Sequence, residues 1–103
     1  MGLLDLLAGH EDNNKMVYGT SEIEPHHKAK FTHELVAGAA AFEAARKYEQ
    51  YEAAQGKPQS HALAKEIFAG FLGAEVDKLV ETKGMDWIDK KQAQEHGLSL
   101  FQF

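Results

Sequence analysis

Cysteine is absent from the 103 residues. Disulfide scaffolds, thiolate metal sites and cysteine nucleophiles are therefore excluded. Proline occurs only at Pro25 and Pro58, so long stretches carry no helix breaker. Positive charge is not in excess: 11 Lys and Arg stand against 16 Asp and Glu, a net charge of −5. That balance suits neither a nucleic-acid backbone nor an anionic membrane surface. No apolar run approaches the ~20 residues that span a bilayer. The stretch from Met1 to Gly9 lacks the basic start and apolar core of a signal peptide. What remains is 44% hydrophobic and 26% charged, the composition of a folded soluble domain rather than a disordered chain. The length suits one domain, and a cytoplasmic location is expected.

The two prolines divide the chain. Residues 1–24 form an N-terminal segment, and residues 25–103 read as one helical domain. Alanine, the strongest helix former, dominates the stretch from Pro25 to Gln55. Phe31, Leu35, Gly38, Phe42 and Ala45 recur at steps of four and three and so share one helical face. Pro25 suits the first turn of that helix. Ser21 and Glu24 offer a competing capping box, but a start at Ser21 would leave Pro25 without a donor it needs. The helix is expected from Pro25, with Gly56 just past its end. A second helix is expected from Pro58 or Ser60 to just before Gly84, with Leu63, Ile67, Phe68, Phe71, Leu72, Val76, Leu79 and Val80 on a wide apolar face. A short third helix is expected from a cap at Asp86 to His96-Gly97, anchored by Trp87 and Ile88. The fold class is all-α: an antiparallel hairpin of two long helices and a short third one. Two long helices and a short one leave apolar surface over, so assembly into a homo-oligomeric bundle is expected.

Several features qualify that outline. Gly38, Gly70 and Gly73 each cost a helix roughly 1 kcal/mol relative to alanine. A seam of small residues between the long helices, with Gly38 opposite Ala74 to Val76, accounts for them. Glu11-Asp12-Asn13-Asn14 reads as a turn. Leu3, Leu4, Leu6 and Leu7 read as a short helix docked on the bundle. Leu98, Leu100, Phe101 and Phe103 put four large apolar groups into an uncharged tail. That tail is expected to be ordered, in a groove beside the third helix and the N-terminal leucines or on a partner subunit.

Candidate chemistry centres on histidines and carboxylates. His26 and His33 lie seven residues apart on one helical face, with His27 beside them. Imidazoles at that spacing could hold a divalent metal, and a solvated polar helix start is the plainer explanation. His33-Glu34 opens like a zinc-protease motif, but Ala37 stands where the second histidine belongs. The paired Glu-x-x-His motifs of di-iron bundles are absent. Neither a phosphate-binding loop nor a nucleophile elbow is present. Glu34, Glu43, Glu75 and Asp77 stand within small-residue or apolar stretches. Antiparallel pairing brings His33 and Glu34 near the level of Asp77 and Lys78. These four could bind a polar ligand or, with His33, Glu34 and Asp77 as acid–base groups, act on one. Surface ion pairing is the plainer explanation. No catalytic residue and no cofactor are assigned from the residues.

The run His33-Glu34-Leu35-Val36-Ala37-Gly38-Ala39-Ala40-Ala41-Phe42-Glu43-Ala44-Ala45 resembles the signature of the fungal CipC-like proteins (concanamycin-induced protein C). Gly56 to Glu66, Ala69 to Leu79 and Glu81 to Asp89 are similar to that family in order and spacing. The resemblance spans about residues 26–96, with Met1 to Tyr18 outside it. It implies a small cytosolic protein of the stress and antibiotic response, and it carries no assigned activity or catalytic residues. The expectation is thus a protein that works by self-association or by binding a partner, with no nucleic acid and no membrane span. A small-ligand or metal binder, or a small acid–base enzyme, at the His33/Glu34/Asp77 region is the alternative.

Overall fold

The structure, a computed structural model, describes residues 7–19, 31–85 and 87–101. It holds a 3₁₀ turn, Ala8–His10, and four helices: α1, Glu11–Gly19; α2, His33–Gln55; α3, His61–Lys83; and α4, Lys90–Ser99. No strand occurs among the described residues, so the chain is all-α as expected. None of these helices is long and apolar enough to cross a membrane.

Side-chain caps set the helix ends. Thr32 Oγ1 accepts a hydrogen bond from the Leu35 N–H at 3.2 Å, so α2 begins at His33 and not at Pro25. Phe31 and Thr32 lie outside the helix. Phe31 is buried, and its carbonyl accepts from Trp87 Nε1 at 3.0 Å. A threonine that satisfies a first-turn N–H, beside a pinned aromatic, outcompetes continuation of the helix. Pro25, Ser21 and Glu24 lie outside the described residues. Ser60 caps α3 as expected, accepting from the Leu63 N–H at 3.1 Å. Gly84, at φ 72°, closes it in the left-handed conformation that glycine tolerates best. Asp89, not Asp86, caps α4: its Oδ1 accepts from the Gln92 N–H at 3.0 Å. Trp87 and Ile88 therefore precede α4, which runs through Gly97 to Ser99.

The stretch Glu11 to Asn14 is the start of α1 and not a turn. Glu11 and Asp12 sit in its first turn, where acidic side chains complement the helix dipole. Asn14 turns inward, with its amide donating to the Ala39 carbonyl at 3.0 Å. Leu7 is buried against the bundle; Leu3, Leu4 and Leu6 lie outside the described residues.

Helix α2 is the axis of the molecule. Every residue from Val36 to Phe42 is buried, because α1, α3, α4 and the 3₁₀ turn all pack on it. A helix covered on all sides is apolar all round, and alanine lets its neighbours come close. That explains the alanine run better than a single seam does. Helix α3 returns antiparallel to α2. Helix α4 runs parallel to α2: Asp89 lies at His33, Gly97 at Ala37, and Phe101 beyond it at Tyr48.

The glycines divide differently from expectation. A Cβ on Gly38 would first meet the imidazole of His10, not α3. A Cβ on Gly70 would meet nothing within 4 Å, so Gly70 faces open space. The close approach belongs instead to Gly97, where a Cβ would lie 3.0 Å from both Leu72 methyls and 3.4 Å from the Ala37 carbonyl oxygen. With Ala93 one turn before it, Gly97 gives α4 the narrow face that fits between α2 and α3.

The tail is ordered through Phe101, which is 7% exposed. Its ring stacks on Phe68 at 4.6 Å and meets Tyr48 edge-on at 6.0 Å. The groove it fills is between α2 and α3. Burial on two large aromatic faces, together with half-buried Leu98 and Leu100, offsets the entropy of ordering these residues. Phe103 lies outside the described residues.

Candidate functional site

His33 opens α2, and its Nε2 accepts a hydrogen bond from the Asp89 backbone N–H at 2.8 Å. The imidazole thus joins the start of α2 to the cap of α4. An accepting Nε2 requires the proton on Nδ1. His33 and Glu34, with Thr32, form one wall of an open cleft of about 330 Å³. Gln92 and His96, one turn apart on α4, form the other. Helix α4 folds back along α3, with Gly97 at Leu72 near the middle of that helix, and its parallel course along α2 brings His96 to His33 as well.

Asp77 and Lys78 are not part of the cleft lining. Asp77 pairs with Lys90 at 3.4 Å, and Glu81 pairs with the same lysine at 3.0 Å. The hydrogen bond that Lys90 donates to Glu81, with the two nearby carboxylates, raises the Lys90 pKa against the opposing effect of desolvation. The expected cluster is therefore two neighbouring groups, joined through consecutive residues: His33 holds Asp89, and Lys90 holds Asp77 and Glu81. His61 stands at the opposite end of the hairpin, its ring 6.0 Å from that of Phe101. Among the described residues no group of three or more His, Asp or Glu side chains is placed to hold a metal ion. His26 and His27, the other two residues of the expected metal set, lie outside the described residues.

A buried charge lies elsewhere. Glu75 is 1% exposed. Its Oε1 accepts from the Tyr18 hydroxyl at 2.6 Å, and its Oε2 pairs with Lys47 Nζ. Three helices thus meet at one carboxylate. Burial pushes the Glu75 pKa up, but hydrogen bonds from Lys47 and Tyr18 outweigh it and hold the carboxyl below its usual range. The Tyr18 hydroxyl is driven far above its usual value, first by burial and then by its bond to Glu75. Beside this centre, Asn14 donates to Glu43 Oε1 at 3.4 Å, and Arg46 approaches the same oxygen at 3.5 Å while lying over the Phe42 ring. Lys83 Nζ donates to the Tyr18 carbonyl at 3.3 Å, where a cation suits the end of α1.

Chemically, the Glu75 centre ties α1 to the hairpin, with each carboxylate oxygen engaged. Sequence reading noted Glu75 within its stretch of small and apolar residues but gave it no role. The missed signal was its spacing: Phe68, Leu72, Glu75 and Leu79 follow steps of four, three and four, the inward face of α3. Tyr18 was missed because α1 itself was not expected.

A family profile described as virulence factor CipC-like matches residues 13–100. The match takes in most of α1, which the sequence resemblance left out, and all of α2, α3 and α4. No curated protein and no solved structure matches the chain.

Proposed function

Since the chain belongs to the virulence factor CipC-like family, we propose that it is a non-catalytic helical protein of the stress and antibiotic response, working in the cytoplasm through self-association. The family description supports an association with virulence or stress. The observation that supports self-association is an apolar row left open on the hairpin. Leu63, Ile67 and Phe71 follow one another at four-residue steps on α3 and so form a ridge. Leu63 is 41% exposed, and Tyr51 of α2, 36% exposed, meets the Phe71 ring at 6.3 Å. Gly70 and Ala74, both exposed, add uncharged surface on the same helix. A lone exposed leucine is ordinary, whereas a contiguous apolar patch marks a contact surface. A two-fold pairing that sets this ridge into the groove of a second copy would cover it.

Sedimentation equilibrium at micromolar concentration tests the reading. The expected mass is well above 11.4 kDa, and Leu63→Glu should return it to that of one chain. A single 11.4 kDa species for the unmodified protein removes self-association. A larger species untouched by Leu63→Glu places the contact elsewhere.

A further inference from the structure

The cleft between the start of α2 and α4 has a distribution of polar groups that self-association does not explain. Its walls are Thr32, His33, Glu34, Gln92 and His96, and its volume is about 330 Å³. That is the lower end of the ~300–1,000 Å³ that small-molecule sites occupy. The hydrogen bond from the Asp89 N–H occupies His33 Nε2, so a ligand meets His33 only through the Nδ1–H donor. The tautomer is fixed by the fold, a form of preorganisation seen where a histidine must present one nitrogen. The His96 ring and the Gln92 amide add donors from the opposite wall. Thr32 Oγ1 accepts from the Leu35 N–H, which leaves its hydroxyl proton as a further donor. Glu34 carries the only carboxylate of the lining and is exposed.

We propose that this cleft binds a small zwitterion of the free α-amino acid class. The ligand carboxylate accepts from His33 Nδ1–H, His96 and Gln92, and the ligand ammonium lies against Glu34. Three features of the lining select that chemistry. Several donors on two facing helices suit a planar anionic group. The Glu34 carboxylate beside them repels a simple anion but matches one that carries its own cation. The volume accommodates the ammonium and carboxylate of an amino acid, and the open side leaves its side chain room in solvent. The site is independent of the Leu63 ridge, so the two readings succeed or fail separately.

Titration of the isotope-labelled full chain with alanine, glutamine and lysine, followed by NMR at the histidine rings, tests the proposal. At least one of the three should shift His33 and His96 saturably and leave His61, at the far end of the hairpin, unmoved. Glu34→Gln should weaken that binding about tenfold or more, while His96→Phe weakens it with the fold intact. Acetate and ethylamine, each carrying one half of the zwitterion, should bind far more weakly. No saturable shift with any of the three amino acids at tens of millimolar overturns the proposal. So does acetate binding as tightly as the amino acid, or Glu34→Gln binding unchanged.

Discussion

Replacing Tyr18 with Phe keeps the ring and removes one oxygen. In the folded protein that oxygen donates at 2.6 Å to a carboxylate that is 1% exposed. Water cannot readily take its place, so Glu75 Oε1 is left desolvated and unpaired. A hydrogen bond to a charged group contributes about 1.5–3 kcal/mol. Lys47 still holds the other oxygen, which favours the lower half of that range, about 2 kcal/mol. For a domain of this size each kcal/mol moves Tm by about 4–8 °C, so a fall of about 10 °C is expected in thermal melting followed by circular dichroism. A cycle with Glu75→Gln should show strong coupling, because the hydroxyl matters only while its acceptor is charged. The pH dependence has a definite sign. The Glu75 pKa is lowered in the folded state, so between the folded value and the unfolded one of about 4.3 the unfolded chain binds more protons. The stabilisation is complete above the unfolded value and is lost as pH falls through the folded one. Glu75→Gln cannot titrate, so its deficit relative to the unmodified protein should shrink as the solution is acidified below about pH 4. A loss under about 0.5 kcal/mol in Tyr18→Phe, or parallel pH profiles for Glu75→Gln and the unmodified chain, would refute the buried triad.

Glycine substitutions should split in sign. Gly97→Leu drives a side chain into Leu72 and the Ala37 carbonyl and should cost about 1–3 kcal/mol in urea unfolding. Gly70→Ala, with nothing within 4 Å of the new Cβ, should gain about 0.5–1 kcal/mol. Equal effects would mean that α4 does not lie between α2 and α3. Phe101→Ala removes the ring between Phe68 and Tyr48 and should cost about 3 kcal/mol. An unchanged melting temperature would show that the tail is dispensable.

Local chemistry is legible where it depends only on neighbouring residues. Ser60 and Gly84 mark the ends of α3 because a hydroxyl cap and a left-handed glycine act within a few residues. The all-α class follows from composition and periodicity for the same reason. Thr32 shows where such reading stops. Local signals at Pro25 and Ser21 compete for the helix start, whereas the contact that holds the chain just before the observed start is a hydrogen bond to the Phe31 carbonyl from Trp87, 56 residues away. The first four residues of α1, Glu11 to Asn14, read as a turn because their polar side chains disfavour a helix locally. The stability of the helix comes from Asn14 and Tyr18 reaching Ala39 and Glu75 across the fold.

The sequence by itself determined that the chain is helical, where its second long helix begins and ends, and which family it resembles. Tertiary structure alone decided the direction of α4. A short helix after a glycine turn can lie along either neighbour, and only the fit of Gly97 between Leu72 and Ala37 selects its course. That course brings His96 beside His33 and carries Phe101 to Tyr48. It thereby forms the cleft and closes the core. Such contacts join residues far apart in the chain, and their energy depends on shape complementarity that no local pattern encodes.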